Sequence, residues 1–322
     1  MTRIALQHTE LEVSRICFGT MTFGGQTDEK AAARMVDLCL DRGINFFDTA
    51  NAYTGGESET IVGKVLGSRR RDIVLASKVA NKVGDGPDQQ GLSRPAMIRA
   101  VEESLRRLGT DYLDIYYLHL PDRKTPIEET LEAMNALVAQ GKVRYPATSN
   151  YAAWQMAEMF ALCTKNSCAT PYLAQPMYNL IARAIEQEYL EMSARYGVSN
   201  IVYNPLAGGL LTGKQQRQAP IAGTRFDKNA MYLDRYWHDE QFDAVDRLSA
   251  AAEKDGRSLI SASLNWLLHH TPIECVILGA SRLEHLEQNL DVLDDGPLSP
   301  AFLAAADGVW KQLRGSTPQY NR

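Results

Sequence analysis

Asn45-Phe46-Phe47-Asp48-Thr49-Ala50-Asn51-Ala52-Tyr53 sets the architecture of the whole chain. Ile44 to Phe47 is an apolar run broken only by Asn45, the pattern of a strand buried on both faces. Where the run stops it delivers a carboxylate, Asp48, and then a phenol, Tyr53, in the loop beyond. A carboxylate at the end of a buried strand is costly unless it meets a cation. Two further runs offer complementary chemistry. Ile73-Val74-Leu75-Ala76-Ser77-Lys78 ends in an ammonium, and Leu113-Asp114-Ile115-Tyr116-Tyr117-Leu118-His119 ends in an imidazole. One polar strand end is ordinary, whereas three that complement one another indicate a shared site.

The same alternation extends outward in both directions. Strand candidates begin near Ile16, Ile44, Ile73, Asp114, Val143, Tyr172, Asn200 and Cys275, with helical patterns between them. Asp28 caps a helix that runs through Met35 and Leu38 to Gly43. Ser93 caps another, with Pro95 in its first turn, and that one stops at Leu108-Gly109. Thr125-Pro126-Ile127-Glu128 opens a third, which closes at Gln140-Gly141; further helices are expected near 153–165, 186–196, 240–255 and 282–291. Ahead of the first strand, Ile4 to Leu6 and Leu11 to Ser14 read as a small hairpin around His8-Thr9-Glu10.

Eight strands alternating with helices fit either a closed barrel or a doubly wound sheet. A dinucleotide-binding sheet carries G-x-G-x-x-G after its first strand, and Gly19-Thr20-Met21-Thr22-Phe23-Gly24-Gly25 fails that spacing. Reactive groups spread over the ends of several strands are how barrel enzymes place function. The expected fold is therefore α/β, a (β/α)8 TIM barrel with an N-terminal β-hairpin and C-terminal-face loops, as a single domain over residues 1–322. Three excursions leave the repeat: a glycine-rich loop at 80–92, a long loop at 208–239, and a final helix and tail at 297–322. The second carries Arg225, Arg235, Tyr236 and Trp237, and such loops shape substrate pockets.

Composition narrows the partners. A net charge of −5 argues against nucleic acid, and no apolar stretch approaches the ~20 residues of a membrane span. The five cysteines form no paired spacing, and Cys163-x4-Cys168 has no histidine or second cysteine pair beside it. Neither a disulfide framework nor a metal is expected, and the reading is cytoplasmic. Oligomeric state stays open, with a homodimer among the arrangements allowed.

If Asp48, Tyr53, Lys78 and His119 converge, the carboxylate holds the lysine charged and the ammonium favours phenolate, which makes the tyrosine a usable general acid. The histidine can orient a carbonyl oxygen. No side chain offers itself as the nucleophile, so a hydride from a nicotinamide is the natural attacking group. The second half of the chain reads as its holder. Ser149, Asn150 and Gln175 suit a carboxamide, and Tyr203 suits stacking on the ring. Asn204-Pro205-Leu206-Ala207-Gly208-Gly209-Leu210-Leu211-Thr212-Gly213-Lys214 lets backbone approach a pyrophosphate. Gly279-Ala280-Ser281-Arg282, ahead of a helix carrying Gln288 and Asn289, suits a 2′-phosphate.

These residues together resemble the aldo-keto reductase superfamily along essentially the whole chain. Ser149-Asn150-Tyr151-Ala152-Ala153-Trp154, Tyr203-Asn204-Pro205-Leu206-Ala207-Gly208-Gly209 and the tail Tyr320-Asn321-Arg322 are similar to its aflatoxin-aldehyde and succinic semialdehyde reductase branch. The resemblance implies NADPH-dependent reduction of a small-molecule carbonyl compound, with Asp48, Tyr53, Lys78 and His119 as the catalytic set. It implies Met21, Arg225 and His285 as further cofactor contacts, and Arg235, Trp237 and Arg322 at the substrate. The chain departs from the branch at Tyr145-Pro146-Ala147-Thr148, at Arg282 and at His285.

Other readings compete at single motifs. Gly208-x4-Gly213-Lys214 has P-loop spacing, but Gln215 stands where a Mg²⁺-binding hydroxyl belongs. Channel β subunits share this fold, so a non-catalytic NADPH-binding redox-sensing subunit is the alternative function. His269-His270 are expected to meet helix-end carbonyls, and the residues at 154, 156 and 159 to form a helix packing face.

Overall fold

The computed structural model describes residues 1–317. Its strands are β1 (Arg3–Ala5), β2 (Glu12–Ser14), β3 (Ile16–Gly19), β4 (Phe46–Asp48), β5 (Val74–Val79), β6 (Leu113–Leu118), β7 (Val143–Ser149), β8 (Leu173–Gln175), β9 (Ser199–Val202) and β10 (Cys275–Gly279). The helices are α1 (Glu29–Asp41), α2 (Glu57–Leu66), α3 (Arg94–Leu108), α4 (Ile127–Ala139), α5 (Ala153–Asn166), α6 (Tyr189–Tyr196), α7 (Ala230–Tyr236), α8 (Asp239–Lys254), α9 (Leu259–His270), α10 (Leu283–Asp291) and α11 (Pro300–Arg314). Strands β3 to β10 pair into one closed barrel with parallel neighbours, which bears out the (β/α)8 expectation.

The chain divides into two compact units. The first holds Met1–Pro176, Tyr189–Ile201 and Glu274–Leu286; the second holds Met177–Glu188, Val202–Ile273 and Glu287–Arg322.

Within the first unit the strands are buried because their sequences leave no polar face: Phe46, Phe47, Leu75, Ala76, Ile115 and Leu118 are all buried. Register carries the strand ends to a common rim. Asp48 pairs with Gly19 and Ala76, and Lys78 pairs with Tyr117, so the ends of β4, β5 and β6 are neighbours. Helix starts follow the cap chemistry read from the sequence. The Asp28 carboxylate accepts the Ala31 N–H at 2.8 Å and the Ser93 hydroxyl accepts the Ala96 N–H at 3.4 Å. Gly109 ends α3 in the left-handed region.

The opposite rim is floored by the β1–β2 hairpin, whose Leu6, Leu11 and Val13 are buried. Asn45 fastens it there: its Oδ1 accepts the Ser14 N–H at 2.8 Å and its Nδ2 donates to the Glu12 carbonyl at 2.9 Å. The one polar residue in the decisive apolar run is thus a structural tie.

Helix α2 shows no clean apolar period, because its buried face includes Ser58 and Glu59 as well as Ile61 and Val62. It lies against α3 at Gly63, where an added Cβ would come within 2.6 Å of the Leu108 carbonyl oxygen.

In the second unit, α8 and α11 pack together. Arg183 binds Glu186 at 2.7 Å and Asp307 at 2.8 Å, and lies 4.9 Å over the Trp266 ring. The stretch read as one loop at 208–239 contains helix α7, capped by Asn229. Two smaller readings need correction. Trp154 is 60% exposed, because it falls on the solvent side of α5, whereas Met156 and Met159 are fully buried. His270 accepts the Leu298 N–H through Nε2 at 2.8 Å instead of donating to a helix-end carbonyl.

Candidate active site

Lys78 is the centre of the site, and its side chain is entirely buried at the end of β5. Its ammonium donates to Asp48 Oδ1, to the Thr49 carbonyl at 2.8 Å and to the Tyr53 hydroxyl at 3.2 Å. A fully dehydrated ammonium is tolerable only with such partners. Burial works against its charge, but the field of Asp48 and the neighbouring Tyr53 outweigh that and hold the lysine pKa above its ordinary value. The second oxygen of Asp48 is also engaged, accepting from Gln175 Nε2 at 2.9 Å. With both oxygens bonded, the carboxylate is an anchor.

Tyr53 reaches the lysine because the chain turns sharply behind it. Thr54, Gly55 and Gly56 have φ of 48°, 67° and 95°, a run of left-handed residues that two glycines make affordable. The Thr54 hydroxyl ties this turn to the Phe23 carbonyl at 2.6 Å. His119 follows β6, its ring 5.9 Å from that of Tyr53 and edge-on to it. Loss of water around the partly exposed ring, together with the Lys78 charge, pulls its pKa down to about 3, so the imidazole is neutral at physiological pH. All four groups expected to carry chemistry therefore lie at one rim of the barrel, within the first unit.

Ser149 and Asn150 close the next stretch of that rim. The Ser149 hydroxyl donates to the Gln175 carbonyl at 2.9 Å, and Asn150 Nδ2 donates to the His119 carbonyl at 2.8 Å from a left-handed backbone, φ 62°. Across the barrel, Gly279 pairs with Gly19 and Met21 lies in the loop after β3. Ser281 follows β10, its carbonyl accepting from the Thr27 hydroxyl at 3.2 Å. Arg282 and His285 are exposed at the start of α10.

The remaining expected residues belong to the second unit. Asn204 shapes its own loop there, its Oδ1 accepting the Gly208 N–H at 2.7 Å and its Nδ2 donating to the Tyr236 hydroxyl at 2.8 Å. Asn204, Ala207, Gly208, Gly209 and Gly213 all have positive φ, a curled backbone of the kind that receives an anion. No helix follows that curl directly, the next being α7, so a P-loop is not formed. Tyr203 bridges to Met177, and Pro205, Leu206 and Lys214 flank the curl. Arg225 and Arg235 stand 5.4 and 5.7 Å from the centroid of the Tyr232 ring. Trp237 packs on Phe226 and Phe242, and Gln288 and Asn289 lie on α10. Arg322 lies outside the described residues.

Sequence reasoning missed two supports of this rim. Asn81, half-buried in the glycine-rich loop with no periodicity to place it, meets His119 at 2.9 Å. Glu59, with no exposed surface, receives Arg107 at 2.7 Å and the Ser77 hydroxyl at 2.5 Å directly beside Lys78 in sequence. Glu57, Ser58 and Thr60 flank Glu59, so the local sequence gives no signal that this acid is buried.

A closed parallel barrel with acid–base groups gathered at the C-terminal ends of its strands defines a barrel enzyme. A profile described as the Aldo/keto reductase family matches residues 15–311, and the chain belongs to that family. It is accordingly a nicotinamide-dependent oxidoreductase acting on carbonyl groups. Aflatoxin B1 aldehyde reductase member 2 of Rattus norvegicus is 38% identical over 320 residues, covering 94% of this chain and 86% of that one. Aldo-keto reductase family 7 member A3 of Homo sapiens is 37% identical over 94% of this chain and 96% of its own. A protein of Arabidopsis thaliana named as a probable voltage-gated potassium channel subunit beta is 36% identical over 89% of this chain and 90% of its own.

Proposed function

We propose that the protein reduces aldehydes and ketones to alcohols with NADPH, and that Tyr53 is the general acid. The observation that carries this reading is the Lys78 ammonium held between Asp48 and the Tyr53 hydroxyl, 3.2 Å from the latter. A cation so placed stabilises phenolate relative to phenol, which lowers the barrier to releasing the proton. His119, neutral and at the same rim, orients the carbonyl oxygen toward the phenol. Asp48 keeps Lys78 charged and in place.

The residues of the first unit fit a nicotinamide nucleotide. Ser149 and Asn150 present amide-binding groups at the end of β7, and Arg282 stands exposed just ahead of the α10 N-terminus, where a phosphate is favoured. NADPH, when bound, supplies the hydride. The relatives named as aldehyde reductases support an aldehyde as substrate.

The relatives named as channel subunits raise a non-catalytic, redox-sensing role as the second reading. The complete set of phenol, ammonium, carboxylate and imidazole favours turnover. A steady-state assay with 4-nitrobenzaldehyde and NADPH distinguishes the two. Tyr53→Phe should then lower kcat by ~10²–10⁴-fold while NADPH affinity changes only a few fold. An unchanged kcat removes Tyr53 from the role of acid.

A further inference from the structure

His119 has two ring nitrogens, and only one can face a substrate oxygen. The other, Nδ1, lies 2.9 Å from Asn81 Nδ2. An amide nitrogen can only donate, so with this contact Nδ1 carries the lone pair and the ring proton sits on Nε2. We infer that Asn81 is a positioning residue that fixes His119 in its Nε2–H tautomer, so that a hydrogen-bond donor faces the substrate carbonyl. The inference rests on the proposed reduction and extends it to a residue outside the four.

A second observation supports the placement. Ala80, the residue before Asn81, has φ of 129°, a conformation that side chains rarely adopt and that persists only where surrounding contacts enforce it. Those contacts are present: the Ala80 carbonyl accepts the Gly91 N–H at 2.8 Å, and the neighbouring Val79 carbonyl accepts the His119 N–H at 2.8 Å. The loop thus bends through a strained residue at the point where the amide turns toward the ring. The His119 carbonyl is held in turn by Asn150 Nδ2 at 2.8 Å, so backbone and ring are both fixed. Inverting the amide would place its oxygen on an Nδ1–H. Nε2 would then present a lone pair to a carbonyl oxygen, which is repulsive.

The chain has 6 histidines, and His119→Gln assigns the ring signals by loss of one set in long-range ¹H–¹⁵N spectra. The full-length protein at neutral pH is expected to show His119 protonated at Nε2 alone. Asn81→Asp replaces the donor by an acceptor and should move the proton to Nδ1 or give the imidazolium. Asn81→Ala should give a mixture of tautomers. Each variant should lose at least tenfold in kcat for 4-nitrobenzaldehyde with NADPH affinity within about twofold. An Nδ1–H tautomer in the unmodified protein, an unaltered tautomer in Asn81→Asp, or full kcat in Asn81→Ala overturns the assignment. The spectra need no turnover, so an Nε2–H ring that inverts in Asn81→Asp, in a protein that reduces no aldehyde, would leave Asn81 its role and defeat the reductase reading alone.

Discussion

Lys78 and Tyr53, 25 residues apart, meet with the ammonium 3.2 Å from the phenol oxygen and 4.8 Å from the centroid of its ring. The lysine touches the oxygen that would shed a proton in the proposed reduction and also lies near the ring that would spread the resulting charge. Its third neighbour, Asp48, has no exposed surface to speak of.

Because that pair is dehydrated, removing one member should cost more than the pair is worth. Lys78→Met should destabilise the protein by about 3–5 kcal/mol, since the Asp48 carboxylate is left without its cation. The double variant Asp48→Asn/Lys78→Met should recover much of that loss in urea denaturation and none of the activity. In the unmodified protein the folded lysine pKa lies above the unfolded one, so its contribution is complete below the ordinary lysine value. It is lost as pH rises through the folded pKa.

His119 predicts a dependence of opposite sign. Its pKa falls from 6.5 to about 3 on folding, so its contribution is complete above 6.5 and is lost as pH drops toward 3. Between pH 7.5 and pH 5 the loss amounts to at most about 2 kcal/mol, reduced by the partial exposure of the ring. Urea titrations at the two values should show that this increment disappears in His119→Gln. An equal pH dependence in both proteins would contradict the neutral imidazole.

Arg107 closes over Glu59, which has no exposure at all. Arg107→Met should therefore destabilise by about 3–5 kcal/mol. Glu59→Gln/Arg107→Met should restore most of it. Thermal melts of the three proteins check this, and additive losses would mean the two side chains act independently.

Arg282→Ala should weaken NADPH much more than NADH, because a 2′-phosphate is the only group that separates them. Fluorescence titration of both nucleotides measures it. Equal losses would detach Arg282 from the phosphate.

The barrel was legible because its strands are wholly buried: runs such as Val74–Val79 and Leu113–Leu118 leave few other foldings for a chain with caps at Asp28 and Ser93. The rim was legible because Asp48, Lys78 and His119 each end such a run. What escaped was set by contacts distant in sequence. Helix α2 turns a buried Glu59 inward toward Arg107, so its apolar period is broken where the fold needs it most. Asn81 looked like one more polar residue of a glycine-rich loop, since nothing local to it reveals that His119 lies beside it. Trp154 misled in the other direction: a large aromatic beside two methionines suggested burial, while its position on α5 faces solvent.

The hairpin under the barrel has a practical consequence. Met1 leads directly into β1 and lies near Gly43, at the end of the molecule's first unit where the strands begin, while the reactive groups gather where they finish. Grafting the protein to a bead or electrode through residue 1 would leave the chemistry pointing away from the support. The Asn45 tie, by anchoring that hairpin, would keep the attachment from working loose under load.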